Sequence, residues 1–262
     1  MSRISALFSR KQHSLLNVYC TAGYPQLDST LPVMQALEKY GADIIELGMP
    51  YSDPLADGPV IQQSSQNAIQ NGMTLSKLFE QLQGLRQSIS IPVILMGYMN
   101  TVLQYGFEKF CAQAAAVGID GLILPDLPEY EFETEYGPVI RQYGLDFIFL
   151  VTPETSESRV KKLDQLSTGF LYAVSSSSTT GGHQQNNEHT REYIRRLKGV
   201  GLKNPVLVGF GIKDQQTFKD VCALTEGAII GSAFIQHLAT SSGSLENKVK
   251  DFLERILKPV RS

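Results

Sequence analysis

The chain has 262 residues, 42% of them hydrophobic and 19% charged, and its 23 basic and 26 acidic residues give a formal net charge of −3. That composition supplies a full core and excludes a disordered chain, and the length suits either one α/β barrel of roughly 250 residues or two small domains. The balance of charge gives no electrostatic reason to expect a nucleic acid or an anionic membrane as partner, and no apolar run reaches the roughly 18 residues of a membrane span.

Residues 1–27 carry Arg3, Arg10 and Lys11 and no acid, a composition that transit peptides share. The first strand, however, is predicted to begin near Leu15. The segment before it reads as a short amphipathic helix, with Ile4, Leu7 and Phe8 on one face, capping the floor of a barrel. Predicted strands then follow at Leu16–Cys20, Asp43–Leu47, Pro92–Met96, Gly121–Leu124, Phe147–Val151, Gly169–Val174, Pro205–Gly209 and Ala228–Ile230. Most are continuous apolar runs, as in parallel strands buried on both faces. Helical patterns lie between them at Leu31–Tyr40, Leu75–Ser88, Phe107–Val117, Ser158–Leu166, Thr190–Lys198 and Gln216–Leu224, and a last one covers Leu245–Leu257. Alternation of this kind predicts an α/β fold: a single-domain (β/α)8 TIM barrel over residues 1–262, with an extra N-terminal helix and a short helix after the eighth strand. A doubly wound sheet is the alternative, because pattern alone does not prove closure.

Three cysteines, Cys20, Cys111 and Cys222, are widely spaced and show no metal-binding pattern. They read as reduced packing residues of a cytoplasmic protein. The four histidines, His13, His183, His189 and His237, form no metal or triad spacing, so no metal is expected.

In a barrel the site residues belong at the C-terminal ends of strands and in the loops beyond. The stretch Glu46–Pro59 puts Glu46 where the second strand is predicted to end and Asp57 in the Pro/Gly-rich loop after it. Two carboxylates in different surroundings can act as acid/base and fixed anion. Taken alone, Glu46 also suits an ion-paired strand end, and Asp57, like Asp53, a solvated loop acid or helix N-cap. Tyr172, in the sixth strand, either reaches the mouth or packs in the core beside Phe170. Glycine corners follow the last three strands at Thr180-Gly181-Gly182, Gly209-Phe210-Gly211-Ile212 and Gly231-Ser232, the last opening a helical stretch over Ala233–Leu238. Barrels bind phosphate between such loops and the N-terminus of a small helix, although plain turn glycines give the same pattern.

The string Glu46–Pro59 closely resembles one family, the tryptophan synthase α subunits. The likeness extends over essentially the whole chain through Tyr19–Pro25, Tyr98–Asn100, Pro125–Pro128, Thr180-Gly181, Gly209–Ile212 and Gly231–Ala233. It implies a lyase that splits indole-3-glycerol phosphate into indole and glyceraldehyde 3-phosphate. Carried across, Glu46 is the general acid/base, Asp57 the anion beside the indole N–H, and Tyr172 a positioning group. The backbones of Gly181, Phe210, Gly211, Gly231 and Ser232 form the phosphate cradle. Tyr19 and Ile61 wall the indole pocket, and Thr180 belongs to a mobile lid. The family works as an αββα complex that passes indole to a β subunit, so Asp53 and Asn100 are expected to face that partner. Pyridoxal phosphate is expected only in the β chain and no cofactor in this one. The sequence departs from the family at Ser176 and Ser178, where an Arg and a Gly are expected, and at Gly97, which is small for its place. Those serines motivate the rival reading, a catalytically weak barrel that binds a phosphate ester and mainly activates β. A different phosphosugar barrel and a free-standing lyase are further alternatives.

Overall fold

The computed structural model describes residues 1–174, 183–209 and 211–257. Its strands are β1 (Leu15–Thr21), β2 (Ile44–Gly48), β3 (Val93–Met96), β4 (Gly121–Ile123), β5 (Asp146–Phe147), β6 (Leu150–Val151), β7 (Leu171–Val174), β8 (Val206–Gly209) and β9 (Gly227–Ile230). Neighbouring strands are parallel, in the order β5-β4-β3-β2-β1-β9-β8-β7-β6. The two ends of that order are one stretch of chain. Ile148 N donates to Leu122 O at 3.0 Å and Tyr172 N to Phe149 O at 3.0 Å, so the ladder passes through the residues between β5 and β6. The ring is therefore closed and the doubly wound alternative fails. The fifth predicted strand, Phe147–Val151, is here two short pieces, because in a staggered barrel its first half pairs with β4 and its second with β7.

Alternate strand residues face opposite sides. Leu15, Ile44, Ile94, Ile123, Ile148, Phe170, Leu207 and Ile229 form one cluster inside the ring, joined by Ile4 and Leu7 of the helix Arg3–Arg10. That helix closes the N-terminal floor as expected, with Ser2 capping it and Phe8 set 6.1 Å from Phe170. Burying Ile4 and Leu7 contributes about 2 kcal/mol each. The other face of each strand packs under the surrounding helices, as Val18, Leu47 and Leu95 do.

Charges pin the floor. Asp120 accepts from Val93 N at 2.8 Å and pairs with Arg3 and Arg86. Asp43 accepts from Leu16 N at 2.8 Å and pairs with Lys11. Glu226 accepts from Val206 N at 2.7 Å.

The helices differ from expectation in instructive places. Leu75–Ser88 is a helix only over Leu75–Gln81, and a separate 3-10 turn follows at Leu85–Gln87. Thr190–Lys198 belongs to a longer helix, His183–Gly199, whose first residues carry no apolar period. The helix Pro59–Gln70 is absent from the sequence reading because its buried face is Ile61, Ser64, Ser65 and Ala68 rather than an apolar stripe.

Candidate active site

Glu46 does not end its strand. β2 continues two residues further, to Gly48, and Glu46 lies level with Tyr19 of β1 and Ile94 of β3. The side chain is 1% exposed. No cation among the described residues pairs with it, so the ion-paired reading fails. Its partner is a neutral amide: Asn17 Nδ2 donates to Oε2 at 2.9 Å. Burial pushes the carboxyl up to about 8; the Asn17 bond opposes the rise and the nearby Asp57 adds to it.

Asp57 is half-buried in the loop leading to the helix Pro59–Gln70. It is not that helix's N-cap, which is Gly58. Its Oδ2 instead accepts from Tyr98 Oη at 3.1 Å, and the same hydroxyl accepts from Ala56 N at 3.1 Å. One phenol thus pins the loop and holds the acid. Burial raises the Asp57 carboxyl and the Tyr98 bond lowers it.

Tyr19 and Tyr172 fit into gaps left by glycine. A Cβ on Gly48 would lie 2.0 Å from Tyr19 Oη, and one on Gly209 would lie 2.5 Å from Tyr172 Cε2. Both phenols are held well above their ordinary range by burial and by the facing acids. They are neutral groups at any working pH.

These residues share one cavity of about 460 Å³ at the C-terminal end of the strands. Glu46, Asp57, Tyr19, Ile61 and Tyr172 line one part, and Gly211, Gly231 and Ser232 line another. Ser232 is the first residue of the helix Ser232–Thr240, whose opening amides have no acceptor within the helix. An anion at this corner would meet those amides and the helix dipole. Gly181, Phe210 and Thr180, with Ser176 and Ser178, lie outside the described residues. Asp53 and Asn100 are exposed and do not line the cavity; Asn100 Nδ2 donates to Tyr51 Oη at 3.0 Å, and the Tyr51 ring lies 5.3 Å from that of Tyr98.

Three residues of the site escaped the sequence reading. Asn17 reads as a polar break in an apolar run, although a strand buried on both faces obliges such a residue to find a partner. Tyr98 stood out only as part of a resemblance, not as the partner of Asp57. Lys213 looks like any surface lysine, yet it is the one cation lining the cavity among the described residues. The cysteines are unpaired, and Cys20 and Cys111 are buried. Among the described residues no group of three potential ligands is placed to hold a metal, and no helix is long and apolar enough to cross a membrane.

The cavity thus combines a carboxyl raised to about 8, a second carboxylate, neutral phenols and a glycine-lined corner at a helix N-terminus. Comparison with known proteins gives these features a context. The family model described as tryptophan synthase alpha chain matches residues 5–259. The tryptophan synthase alpha chain of Christiangramia forsetii is 51% identical over 254 residues, covering 95% of this chain and 99% of that protein. That of Flavobacterium johnsoniae is 47% identical, covering 98% and 100%. The crystal structure of the Legionella pneumophila subunit alpha superposes with a TM-score of 0.88 at 32% identity, over 98% of this chain and 97% of that one.

Proposed function

The chain belongs to the tryptophan synthase alpha chain family, lyases that cleave indole-3-glycerol phosphate in tryptophan biosynthesis, and from that premise we propose how its own residues perform the cleavage. Glu46 protonates the indole ring at C3. The ring becomes an indolenine-like cation, and Asp57, beside the ring N–H, stabilises it as an anion already in place. Glu46, now a carboxylate, takes the proton of the glycerol hydroxyl next to the ring. The carbon–carbon bond then breaks and its electron pair returns to the ring. Indole and glyceraldehyde 3-phosphate leave, and Glu46 ends protonated as it began.

The observation that carries this reading is the Glu46 carboxyl, buried, paired only to a neutral amide, and raised to about 8 beside Asp57. An acid of that strength is protonated at neutral pH and still strong enough to donate to carbon, a role typically worth 10²–10⁴-fold. Tyr172 positions the substrate as a neutral donor, and Tyr19 and Ile61 hold the indole. The phosphate lies at Gly211, Gly231 and Ser232, with Gly181 and Phe210 completing the cradle by resemblance. Lys213 supplies the charge that a dianion attracts. Holding the ester at that distant corner orients the bond to be broken.

The partner is a tryptophan synthase β subunit in an αββα complex, which receives the indole and holds the pyridoxal phosphate. Asp53 and Asn100, exposed on the rim, are its docking residues, and the enzyme works in the cytoplasm. The weakly catalytic alternative finds no support in a cavity that keeps Glu46, Asp57 and Tyr172 together. The test is indole release from indole-3-glycerol phosphate by the purified chain, with and without β. We expect slow release alone and a sharp rise with β. No release in either case overturns the assignment.

A further inference from the structure

Asn17 lies in β1 two residues before Tyr19, on the same face of the strand, and is fully buried. Its Nδ2 donates to Glu46 Oε2 at 2.9 Å, while its Oδ1 is buried without a partner among the described residues. Leucine has nearly the same shape and would avoid the unpaired oxygen. Leu15, Leu16 and Val18 around it follow that simpler rule. A polar group kept in a core with half its capacity unmet points to a task for the half that is engaged.

We propose that Asn17 is a positioning residue for Glu46, whose amide N–H occupies Oε2 so that the other oxygen, Oε1, both carries and receives the proton. The proposal rests on the reading of Glu46 as the acid/base. A carboxylic acid has one hydroxyl oxygen and one carbonyl oxygen, and a fixed N–H donor selects which is which. An oxygen facing an N–H is the acceptor, so the acid proton sits on its twin. Protonation of the ring and removal of the hydroxyl proton then use the same atom, and the carboxyl needs no rotation between the two steps. The unpaired Oδ1 follows from this arrangement. The amide turns its donor end to Glu46, and nothing else among the described residues donates to its other end.

The same bond keeps Glu46 more acidic than burial alone would leave it, because it favours the carboxylate. The titratable groups facing Glu46 are Tyr19 from β1, Tyr172 from β7 and Asp57 from the loop after β2, with Cys20 on the other face of β1 still within its field. Burial holds the two phenols and the thiol neutral, so a change near pH 8 falls on the carboxylates.

The experiment is the pH profile of indole-3-glycerol phosphate cleavage by the full chain with saturating β subunit, for wild type, Asn17→Leu and Asn17→Asp. Asn17→Leu is expected to lower kcat about tenfold with little change in KM. It should also move the alkaline limb up by about one pH unit. Asn17→Asp turns the donor into an acceptor, draws the proton to Oε2, and should lower kcat further while moving the limb the same way. A limb unmoved in both variants, or a loss confined to KM and melting temperature, overturns the proposal. If Asn17→Leu does not fold, the near-isosteric Asn17→Asp carries the same readings. Glu46→Gln separates this inference from the one beneath it. An active Glu46→Gln overturns the acid/base reading itself. An inactive Glu46→Gln beside Asn17 variants with wild-type profiles overturns only the positioning role.

Discussion

Asp43, Asp120 and Glu226 at the floor of the barrel, and Glu46 and Asp57 at its mouth, are all carboxylates near strand ends, yet they are held differently. Each floor acid accepts the backbone N–H of the neighbouring strand, and Asp43 and Asp120 also take lysine or arginine partners. Each mouth acid has one neutral side-chain donor, from Asn17 or Tyr98. At the floor every carboxylate is held by a backbone N–H and two of the three by cations as well, so they tie strand to strand and the N-terminal helix to the ring. At the mouth burial runs ahead of compensation, and the unmet balance becomes acidity suited to moving a proton. The fold keeps stability at one end and reactivity at the other, as barrels do.

Substitutions at the two ends should therefore fail in different ways. The largest effect is expected from Glu46→Gln, which should lower kcat by roughly 10³-fold while ligand binding persists. Stability should respond in the opposite sense. The folded carboxyl titrates at about 8 against 4.5 in the unfolded chain, so between these values the folded state binds more protons and stability falls as pH rises. Glu46→Gln cannot ionise, so it should melt higher than wild type at about pH 8 and alike below about pH 4. Melting curves across that range check the sign, and a parallel pair of curves would refute the weakened acidity of Glu46.

Asp57→Asn should come next, with a loss of roughly 10²-fold in kcat and folding unchanged; a wild-type rate would remove Asp57 from the scheme. At the floor, Asp120→Asn should leave kcat/KM intact below the melting transition. It should lower stability by about 3 kcal/mol, because Arg86 loses its buried counter-charge and the new amide NH2 meets a donor where a carboxylate oxygen had accepted; chemical denaturation measures this, and a changed kcat would blur the division between the ends. The smallest effect is expected from Lys213→Met, a rise in KM of about threefold with kcat unchanged, since its ammonium is exposed and screened. A fall in kcat instead would mean that Lys213 acts on the reacting bond.

The barrel and the acids of its mouth could be read from the sequence, but the acids of its floor could not. The alternation of apolar strand runs with amphipathic helices revealed the barrel, because parallel strands buried on both faces leave a continuous signal. Glu46, Asp57, Tyr172, Tyr19 and Ile61 were legible because the string Glu46–Pro59 and its companions are specific. What escaped has one physical root. Asn17 and Tyr98 meet partners on other elements, and Lys213 reaches the cavity only through the fold, none of which spacing along the chain records. The strand ends slipped for a related reason. Where β2 stops depends on how far β1 and β3 run beside it, so Glu46 lies inside its strand. The helix Pro59–Gln70 hides its buried face in two serines.

The interlock of Tyr19 with Gly48 also constrains how such a chain can change over generations. A methyl group at position 48 would collide with the Tyr19 ring as well as its hydroxyl, with Cζ 2.4 Å away. Removing the oxygen alone would not relieve this. A lineage that enlarges position 48 must therefore first shrink position 19. The reverse order passes through a clash beside Glu46. Two positions in adjacent strands are thus a single heritable unit, with a direction of travel fixed by sterics.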